Sequence, residues 1–258
     1  MTRSVANLEP LRDNWSFPDG VTYLNHGSFG PSPKPVLDAQ AEWTRRLEQN
    51  PMGFLLHECE EALETSLARL AKFVGTSRGS LVFVDNATFA MNIVAASVDL
   101  QAGDEVLLNN HEYGAVLRIW RRRCQAAGAK LVVVELPDPP TTPEAIVERL
   151  FESASDRTKL IVVSHVTSPT ALVFPVEEIC RRARERGILT CIDGPHAPAT
   201  VDISLRTIDC DFYCASCHKW LCAPFGSGFL FVSPRWQKRV RPAIVSWGGS
   251  IGGRQPGW

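Results

Sequence analysis

The sequence predicts an α/β fold of three layers, in which a mostly parallel sheet is covered by helices on both faces. Short runs rich in β-branched residues alternate with amphipathic helical patterns along most of the chain, which is typical of strands buried on both sides. The chain has 258 residues, of which 45% are hydrophobic and 21% are charged. This composition is that of a globular protein, and the length allows one large domain or two small ones.

The elements follow in a regular order. We expect an extended arm over residues 1–30, then helices packed over residues 35–75 with a connection near the sequence NPMGF. Helical patterns also follow the first four predicted strands. Thr142 and Pro143 predict the start of one such helix, and Gly187 predicts the end of the next, because these residue types favour those positions. The predicted strands are residues 80–84, 104–110, 130–136, 158–166, 188–194, 211–216 and 228–232.

Charge and hydropathy exclude several kinds of partner. The net charge of −1 gives no electrostatic footprint for nucleic acid or an anionic membrane. The longest apolar runs are far too short to cross a bilayer, and the N-terminus lacks the apolar region of a secretory signal. We therefore expect a cytoplasmic protein that acts on a small molecule. The eight cysteines do not fit a small secreted disulfide scaffold, and several are expected to be buried hydrophobic residues.

Polar side chains follow five of the predicted strands. In doubly wound sheets ligands bind at the carboxyl ends of the strands, so side chains that follow different strands meet at one edge. The sequence therefore predicts a functional site there. The segments concerned are Asp85–Thr88, Asn110–Gly114, Ser164–Ser168, Asp193–His196 and Ser216–Lys219.

The segment CDFYCASCHKWLC offers two chemistries. Cys210, Cys214 and Cys217 match the C-x3-C-x2-C spacing of radical enzymes that bind an iron–sulfur cluster through thiolates. However, Cys210 and Cys214 in one extended strand would point the same way and lie about 13 Å apart, too far for one cluster. We therefore expect no metal site, and an iron–sulfur radical enzyme is the last of the alternative functions.

The second chemistry uses Lys219. A lysine amine at a strand end in an apolar setting forms an imine with an aldehyde cofactor. Pyridoxal 5'-phosphate needs such an amine, an acid beside its pyridine nitrogen, a flat ring against its face and donors for its phosphate. Lys219, Asp193 and His111 supply the first three. Ala87–Thr88 opens a helix, whose free N–H groups and dipole favour a phosphate.

Six motifs in order resemble the class V aminotransferase superfamily, and most of all its isopenicillin N epimerase-like branch, which is related to cysteine desulfurases. The resemblance covers about residues 20–250. It implies the large domain of a type I pyridoxal-phosphate transferase fold, that cofactor and a homodimer. The motifs are YLNHGSFGPSP, NATFAMN, NHEYGA, SHVTSPTALVFPV, IDGPHAP and DFYCASCHKWLCAPFGSGFLFV.

The resemblance also implies roles around the cofactor ring. Lys219 forms the internal aldimine, Asp193 pairs with the pyridine nitrogen, and His111 stacks on the ring and moves protons with Lys219. His196 stands where desulfurases carry a glutamine that contacts the phenolic oxygen. Ser168 replaces a desulfurase asparagine near the same oxygen.

The remaining implied roles concern the phosphate and the substrate. His165 is expected to be structural support behind Ser168 and is left out of the site. The residues implied for the phosphate are Ala87, Thr88, Ser216 and His218. Those implied for the border of the substrate are Asn25, His26 and Gly27.

The resemblance predicts the domain organisation as well. Residues 1–30 form an arm that borders the substrate, and residues 31–258 form the cofactor-binding large domain. The family continues with a smaller C-terminal domain that supplies an arginine for the substrate carboxylate, and Arg254 does not match it, so we expect that domain to be absent or truncated. The tail VSWGGSIGGRQPGW carries two tryptophans and five glycines, and we expect it to need a partner surface. Its Gly248–Ser250 segment is predicted to offer amides to a phosphate.

The sequence predicts an enzyme acting on an amino acid and leaves its reaction open. Return of a proton to Cα from the other face gives epimerisation, and transfer of a proton to the cofactor gives transamination. Loss of a side-chain substituent gives lyase chemistry such as C–S cleavage. A cofactor-binding domain without turnover stays as the alternative.

Overall fold

A seven-stranded sheet forms the centre of the computed structural model, which describes residues 9–136 and 142–244. Within those residues the strand order is β1-β7-β6-β5-β4-β2-β3. Strand β7 pairs antiparallel with both β1 and β6, and all the other pairings are parallel. The predicted mostly parallel sheet is therefore confirmed. The strands are β1 Leu81–Val84, β2 Glu105–Asn109, β3 Lys130–Val134, β4 Thr158–Ser164, β5 Leu189–Asp193, β6 Phe212–Ser216 and β7 Gly228–Val232.

Helices cover both faces of this sheet. The alternation of side chains along each strand divides the core into two clusters, since Leu107 packs in one cluster while its neighbours Val106 and Leu108 pack in the other. Helices α4, α7 and α8 contribute to the first cluster, and helices α5 and α6 to the second. The α-helices are α1 Glu9–Arg12, α2 Lys34–Gln49, α3 Pro51–Gly53, α4 Cys59–Phe73, α5 Ala87–Ser97, α6 Gly114–Ala127, α7 Pro143–Glu152, α8 Val176–Glu185 and α9 Leu205–Ile208.

Local signals fix the ends of several helices as predicted. Thr142 caps α7 by accepting a hydrogen bond from the Ala145 amide, and Pro143 occupies the first turn. Gly187 follows α8 with a φ of 68°, which is the left-handed conformation that glycine adopts at little cost. The strands β4 and β5 that follow these helices pair in parallel, which places their carboxyl ends at one edge of the sheet.

Helices precede β1 as predicted over residues 35–75, and they differ from one another in burial. Helix α2 has no buried residue, whereas α4 buries Ala71 against the sheet. Residues 50–58 form a nearly continuous helical connection, in which Asn50 caps α3 and Phe54–Glu58 form a π-helical turn. An amphipathic pattern predicts that a helix has an apolar face and leaves open what covers it, so the sequence did not show that α2 would bury none of its residues.

The three cysteines of the iron–sulfur alternative lie in two separate places. Strand β6 begins at Phe212, so Cys210 is not part of it, and the expected 13 Å separation along one strand was wrong in its geometry. Cys210 and Cys217 pack in the first core cluster, while Cys214 packs in the second beside Cys191, on the other face of the sheet. In the described ranges no group of three or more cysteine, histidine or acidic side chains is placed to hold a metal ion.

The N-terminal segment lies against the loop that follows β6. After the short helix α1, residues 13–33 form only turns and irregular backbone, and the Gly30 amide donates to the His218 carbonyl oxygen at 2.8 Å. Among the described residues, no helix is long and apolar enough to cross a membrane. The predictions for the tail, including Gly248–Ser250 and Arg254, lie outside the described residues.

Candidate active site

A cavity of about 500 Å³ opens at the carboxyl ends of β1, β5 and β6. Its walls come from six separate parts of the chain, which the fold brings to one edge of the sheet. Nine of the predicted site residues lie in its wall: Gly27, Ala87, Thr88, Ser168, Asp193, His196, Ser216, His218 and Lys219.

Lys219 lies in the loop after β6, and its amine reaches across the cavity toward β5. Its Nζ is 3.1 Å from Nε2 of His196. Burial lowers the pKa of Lys219, and the nearby Asp193 carboxylate partly opposes that effect. The uncharged, nucleophilic form of the amine is therefore more accessible than in a surface lysine.

Asp193 ends strand β5, where it is hydrogen-bonded into the sheet between β4 and β6. The residue is only 4% exposed. Burial raises the pKa of its carboxyl to about 7, and the cationic Lys219 partly offsets this. Only the Lys219 charge opposes the cost of burying a charged Asp193. A buried acid of this kind in a cavity wall fits a cationic partner such as a protonated pyridine nitrogen.

The amino end of helix α5 forms another part of the wall. Asn86 caps this helix, since its Oδ1 accepts a hydrogen bond from the Phe89 amide at 2.9 Å. The Ala87 amide donates to the Ser216 hydroxyl at 3.0 Å, which joins the start of α5 to the end of β6. His218 contributes a buried Nδ1 that has no hydrogen-bond partner in the described part of the chain. Together with Thr88, these groups offer donors and a helix dipole to an anion.

His111 follows β2 and lies outside the cavity wall. Its Nδ1 is 3.2 Å from the Thr170 hydroxyl, while its buried Nε2 has no partner in the described residues. Tyr113 and Val116 line the cavity from the same part of the chain. The structure thus brings Ser168 into the wall but does not bring His111 there, so its stacking role stays a prediction.

The N-terminal segment closes the cavity on another side. Gly27 lines it, while His26 stacks on Trp220 with ring centroids 5.9 Å apart. Asn25 is exposed and its Oδ1 accepts from the Ser28 amide. The contact depends on Gly30, because a Cβ there would fall 1.8 Å from the Lys219 carbonyl oxygen. The segment therefore packs directly on the lysine loop.

Two residues that the sequence analysis did not single out belong to this region. Trp220 donates from its indole Nε1 to Nδ1 of His196 at 3.3 Å. Glu112 is buried behind the cavity, where it accepts hydrogen bonds from the Ser164 amide and hydroxyl. One sign in the sequence indicated that these two residues belong to the site, which is that each directly follows a predicted site residue. Trp220 follows Lys219, and Glu112 follows His111. Their partners come from distant strands, so the sequence alone did not reveal the pairing.

His165 lies in the core beside Tyr213, and its expected role as structural support behind Ser168 stays a prediction. Its Nδ1 lies 2.8 Å from the hydroxyl of Tyr213, and burial lowers the pKa of the imidazole to about 4. Its backbone amide donates to the Asp193 carbonyl oxygen. His165 therefore braces the ends of β4 and β5 from within the core.

The donor set of the cavity fits pyridoxal 5'-phosphate. A shielded lysine amine, a buried carboxyl, the amino end of a capped helix and an unpartnered imidazole nitrogen surround one space. These are the groups that an aldehyde, a pyridine nitrogen and a phosphate require.

The family model described as "Aminotransferase class-V" matches residues 22–251. The chain belongs to this family. Pyridoxal phosphate is the cofactor of the family, which confirms the predicted cofactor at that level. The resemblance expected from the six motifs is confirmed as well.

Two curated relatives are named isopenicillin N epimerase. The protein of Streptomyces clavuligerus is 38% identical over 244 residues, which cover 95% of this chain and 61% of that protein. The protein of Amycolatopsis lactamdurans is 40% identical over 248 residues, covering 95% of this chain and 62% of that protein. The chain therefore spans about three fifths of the length of these relatives.

Solved structures of the cystine C–S lyase C-DES share the fold. Its complex with cysteine persulfide has a TM-score of 0.82 at 23% identity, covering 93% of this chain and 65% of that chain. A C-DES mutant with glycine covalently linked to its pyridoxal phosphate has a TM-score of 0.81 at 22% identity, covering 91% and 64%. At this identity the likeness establishes the three-layer type I fold of the chain.

Proposed function

We propose that this chain binds pyridoxal 5'-phosphate in the cavity and acts on an amino acid at its Cα, with Lys219 as the covalent anchor and proton carrier. The observation that carries the proposal is the Lys219 amine, which lies 3.1 Å from His196 Nε2 in a cavity shared with Asp193. A solvated lysine would have neither these neighbours nor a lowered pKa.

The residues divide the work by position. Lys219 would hold the cofactor through its uncharged amine, and the same side chain would take and return protons at Cα of the substrate. Asp193 holds the pyridine nitrogen in its protonated form. Asn86, Thr88, Ser216 and His218 hold the phosphate at the amino end of α5. When bound, the cofactor supplies the electron sink that allows a bond at Cα to break.

Epimerisation is the first candidate reaction. Two relatives named isopenicillin N epimerase are 38% and 40% identical over 95% of the chain. Epimerisation requires removal of the Cα proton from one face and its return from the other, which Lys219 and a second group perform. We propose His111 or His196 as that second group, since both lie near the strand ends that form the site.

C–S cleavage is the second candidate. A rice relative named as a putative L-cysteine desulfhydrase is 35% identical over 245 residues, covering 88% of this chain and 51% of that protein. This reaction uses the same removal of a proton at Cα, followed by loss of the sulfur substituent. The two candidates therefore share Lys219 and Asp193 and differ in what leaves the substrate.

The test is an exchange assay on the full chain with added pyridoxal phosphate. A panel of amino acids in D₂O is followed by NMR for loss of the Cα proton and by chiral chromatography for inversion, while sulfide release reports C–S cleavage. We expect Cα exchange with at least one substrate, and we expect Lys219→Ala to abolish it without loss of the fold.

The matched control is Lys34→Ala. Lys34 lies at the start of α2, and its amine donates to a backbone carbonyl rather than to the cavity. This variant should keep the exchange rate of the unaltered chain. Cofactor binding without exchange, inversion or sulfide release would overturn the proposed activity in favour of a cofactor-binding domain without turnover.

A further inference from the structure

Three side chains from two loops form a row that ends at the catalytic amine. The Trp220 indole Nε1 lies 3.3 Å from Nδ1 of His196, and the other ring nitrogen of His196 lies 3.1 Å from Nζ of Lys219. Both nitrogens of the imidazole are therefore engaged. The direction of each hydrogen bond in this row follows from what each group is able to donate.

Trp220 fixes the direction at one end. An indole N–H is a donor only, so Nδ1 of His196 must accept and cannot carry a proton. The neutral ring then carries its proton on Nε2, and a doubly protonated ring would lose the bond to Trp220. Burial, aided by the nearby Lys219 charge, lowers the pKa of His196 to about 4, so the ring is neutral near pH 7.

The other end of the row is the lysine amine. Because Nε2 of His196 carries the proton, it donates to Nζ of Lys219. An ammonium has three donors and no acceptor, whereas an uncharged amine has a free lone pair. The hydrogen bond is therefore formed only when Lys219 is uncharged, and it stabilises that form.

We propose that Trp220 is a positioning residue that holds His196 in the tautomer whose Nε2 proton is donated to an uncharged Lys219 amine. The inference rests on the proposed function in one respect, since the uncharged amine is useful as the group that attacks the cofactor aldehyde. Removal of the indole donor frees His196 to carry its proton on Nδ1. Its Nε2 then accepts from an ammonium, and the charged form of Lys219 is favoured.

Trp220→Phe isolates the indole N–H. The phenyl ring retains an aromatic surface against His26, whose ring stacks on Trp220 at an interplanar angle of 19°. The titratable groups that face Lys219 are Asp193, His196 and His218, and the substitution replaces none of these residues. A matched control is Trp15→Phe, because the Trp15 indole lies in the same aromatic cluster but donates to the Pro31 carbonyl oxygen at 2.8 Å.

The first measurement is the pH dependence of Lys219 acetylation in the cofactor-free full chain, using acetic anhydride and peptide mass spectrometry from pH 6 to 10. We expect the Trp220→Phe profile to move to higher pH, with labelling of Lys219 about tenfold slower near neutral pH, the effect of one pKa unit. Trp15→Phe should follow the unaltered protein. A Trp220→Phe profile that superposes on that of the unaltered protein would overturn the inference.

The second measurement needs no variant. Long-range ¹H–¹⁵N correlation of the imidazole nitrogens in the cofactor-free chain reports the tautomer of His196. We expect the proton on Nε2, and a proton on Nδ1 would contradict the inference even if Trp220→Phe does not fold. Both measurements are made without cofactor, so a failure of the chain to bind pyridoxal phosphate would be seen separately.

Discussion

At Asp193, the stability of the folded chain and the proposed catalysis favour opposite protonation states of one carboxyl group. The folded chain buries this carboxyl and raises its pKa to about 7 from an ordinary 3.8. The folded state therefore favours the protonated form, and the stability that this gives is lost as the pH rises through 7. In the proposed function, the charged form of Asp193 would be needed opposite a cationic ring nitrogen.

Asp193→Asn should separate these two demands. We expect turnover to fall at least ~100-fold, the order seen when a preorganised electrostatic partner is removed, because an amide cannot balance a pyridinium charge. The cofactor-free variant should be at least as stable as the unaltered chain at pH 8. Asp85→Asn is the control, since this exposed acid follows β1 outside the cavity. Near-normal turnover in Asp193→Asn would show that Asp193 is only a turn residue.

Glu112 predicts a pH dependence of stability. The pKa of Glu112 is raised from 4.5 to about 8, mainly by burial and in part by the Asp193 charge, although hydrogen bonds from Ser164 and Asn109 oppose this. The folded state thus holds a proton that the unfolded state releases above pH 4.5. Stability from this group is greatest below that value and is lost as the pH rises toward 8, by up to about 1.4 kcal/mol per unit.

Glu112→Gln should remove most of this dependence, because glutamine retains an oxygen for the Ser164 and Asn109 amides and carries no charge. Urea unfolding at several values between pH 5 and 8 measures the slope of the free energy of unfolding. Exposed Glu48→Gln controls for the loss of one carboxylate elsewhere. Identical slopes for Glu112→Gln and the unaltered chain would contradict a protonated Glu112 in the folded state.

Among the elements, helix α5 links stability to cofactor binding through its cap. Asn86→Ala removes the acceptor of the Phe89 amide, and we expect the free energy of unfolding to fall by about 1 kcal/mol. We also expect weaker binding of pyridoxal phosphate in a fluorescence titration, because Asn86 lines the cavity. Thr142→Ala removes the equivalent cap of α7 and should lower stability alone. Equal cofactor affinity in both variants would exclude α5 as the phosphate site.

The strands were predictable because each is a short continuous run of apolar residues bounded by polar ones. The antiparallel direction of β7 was not predictable from the sequence. It depends on the path of the connection between β6 and β7, which includes Lys219, and not on the composition of the strand. The site was predictable where residues follow strands directly, as Asp193 and Ser216 do. The bond from Trp220 to His196 joins residues 24 positions apart, and only the tertiary structure shows it.

Across the whole molecule, the helices before β1 leave apolar side chains in solvent. Helices α2 to α4 and the turn between them expose Leu37, Trp43, Met52, Leu55, Leu56 and Leu63. Exposed apolar groups of this kind mark interaction surfaces. We propose that two copies of the chain associate through this surface, in agreement with the homodimer expected from the family resemblance.

Light scattering at micromolar concentration tests the association. We expect a dimer, and we expect the double substitution Leu55→Glu and Leu56→Glu to give a monomer, because two buried charges would oppose the contact. Leu24→Glu serves as the control, since Leu24 is exposed outside these helices. A monomer of the unaltered chain that binds pyridoxal phosphate at full strength would rule out a site that depends on two copies.

The central claim is that Lys219 carries the cofactor, and one measurement addresses it directly. The full chain is incubated with pyridoxal phosphate, reduced with borohydride, digested and mapped by mass spectrometry. The account predicts the reduced cofactor on the peptide that contains Lys219, together with loss of the near-visible absorbance of the complex. A label on any other lysine, or no label at saturating cofactor, would contradict it.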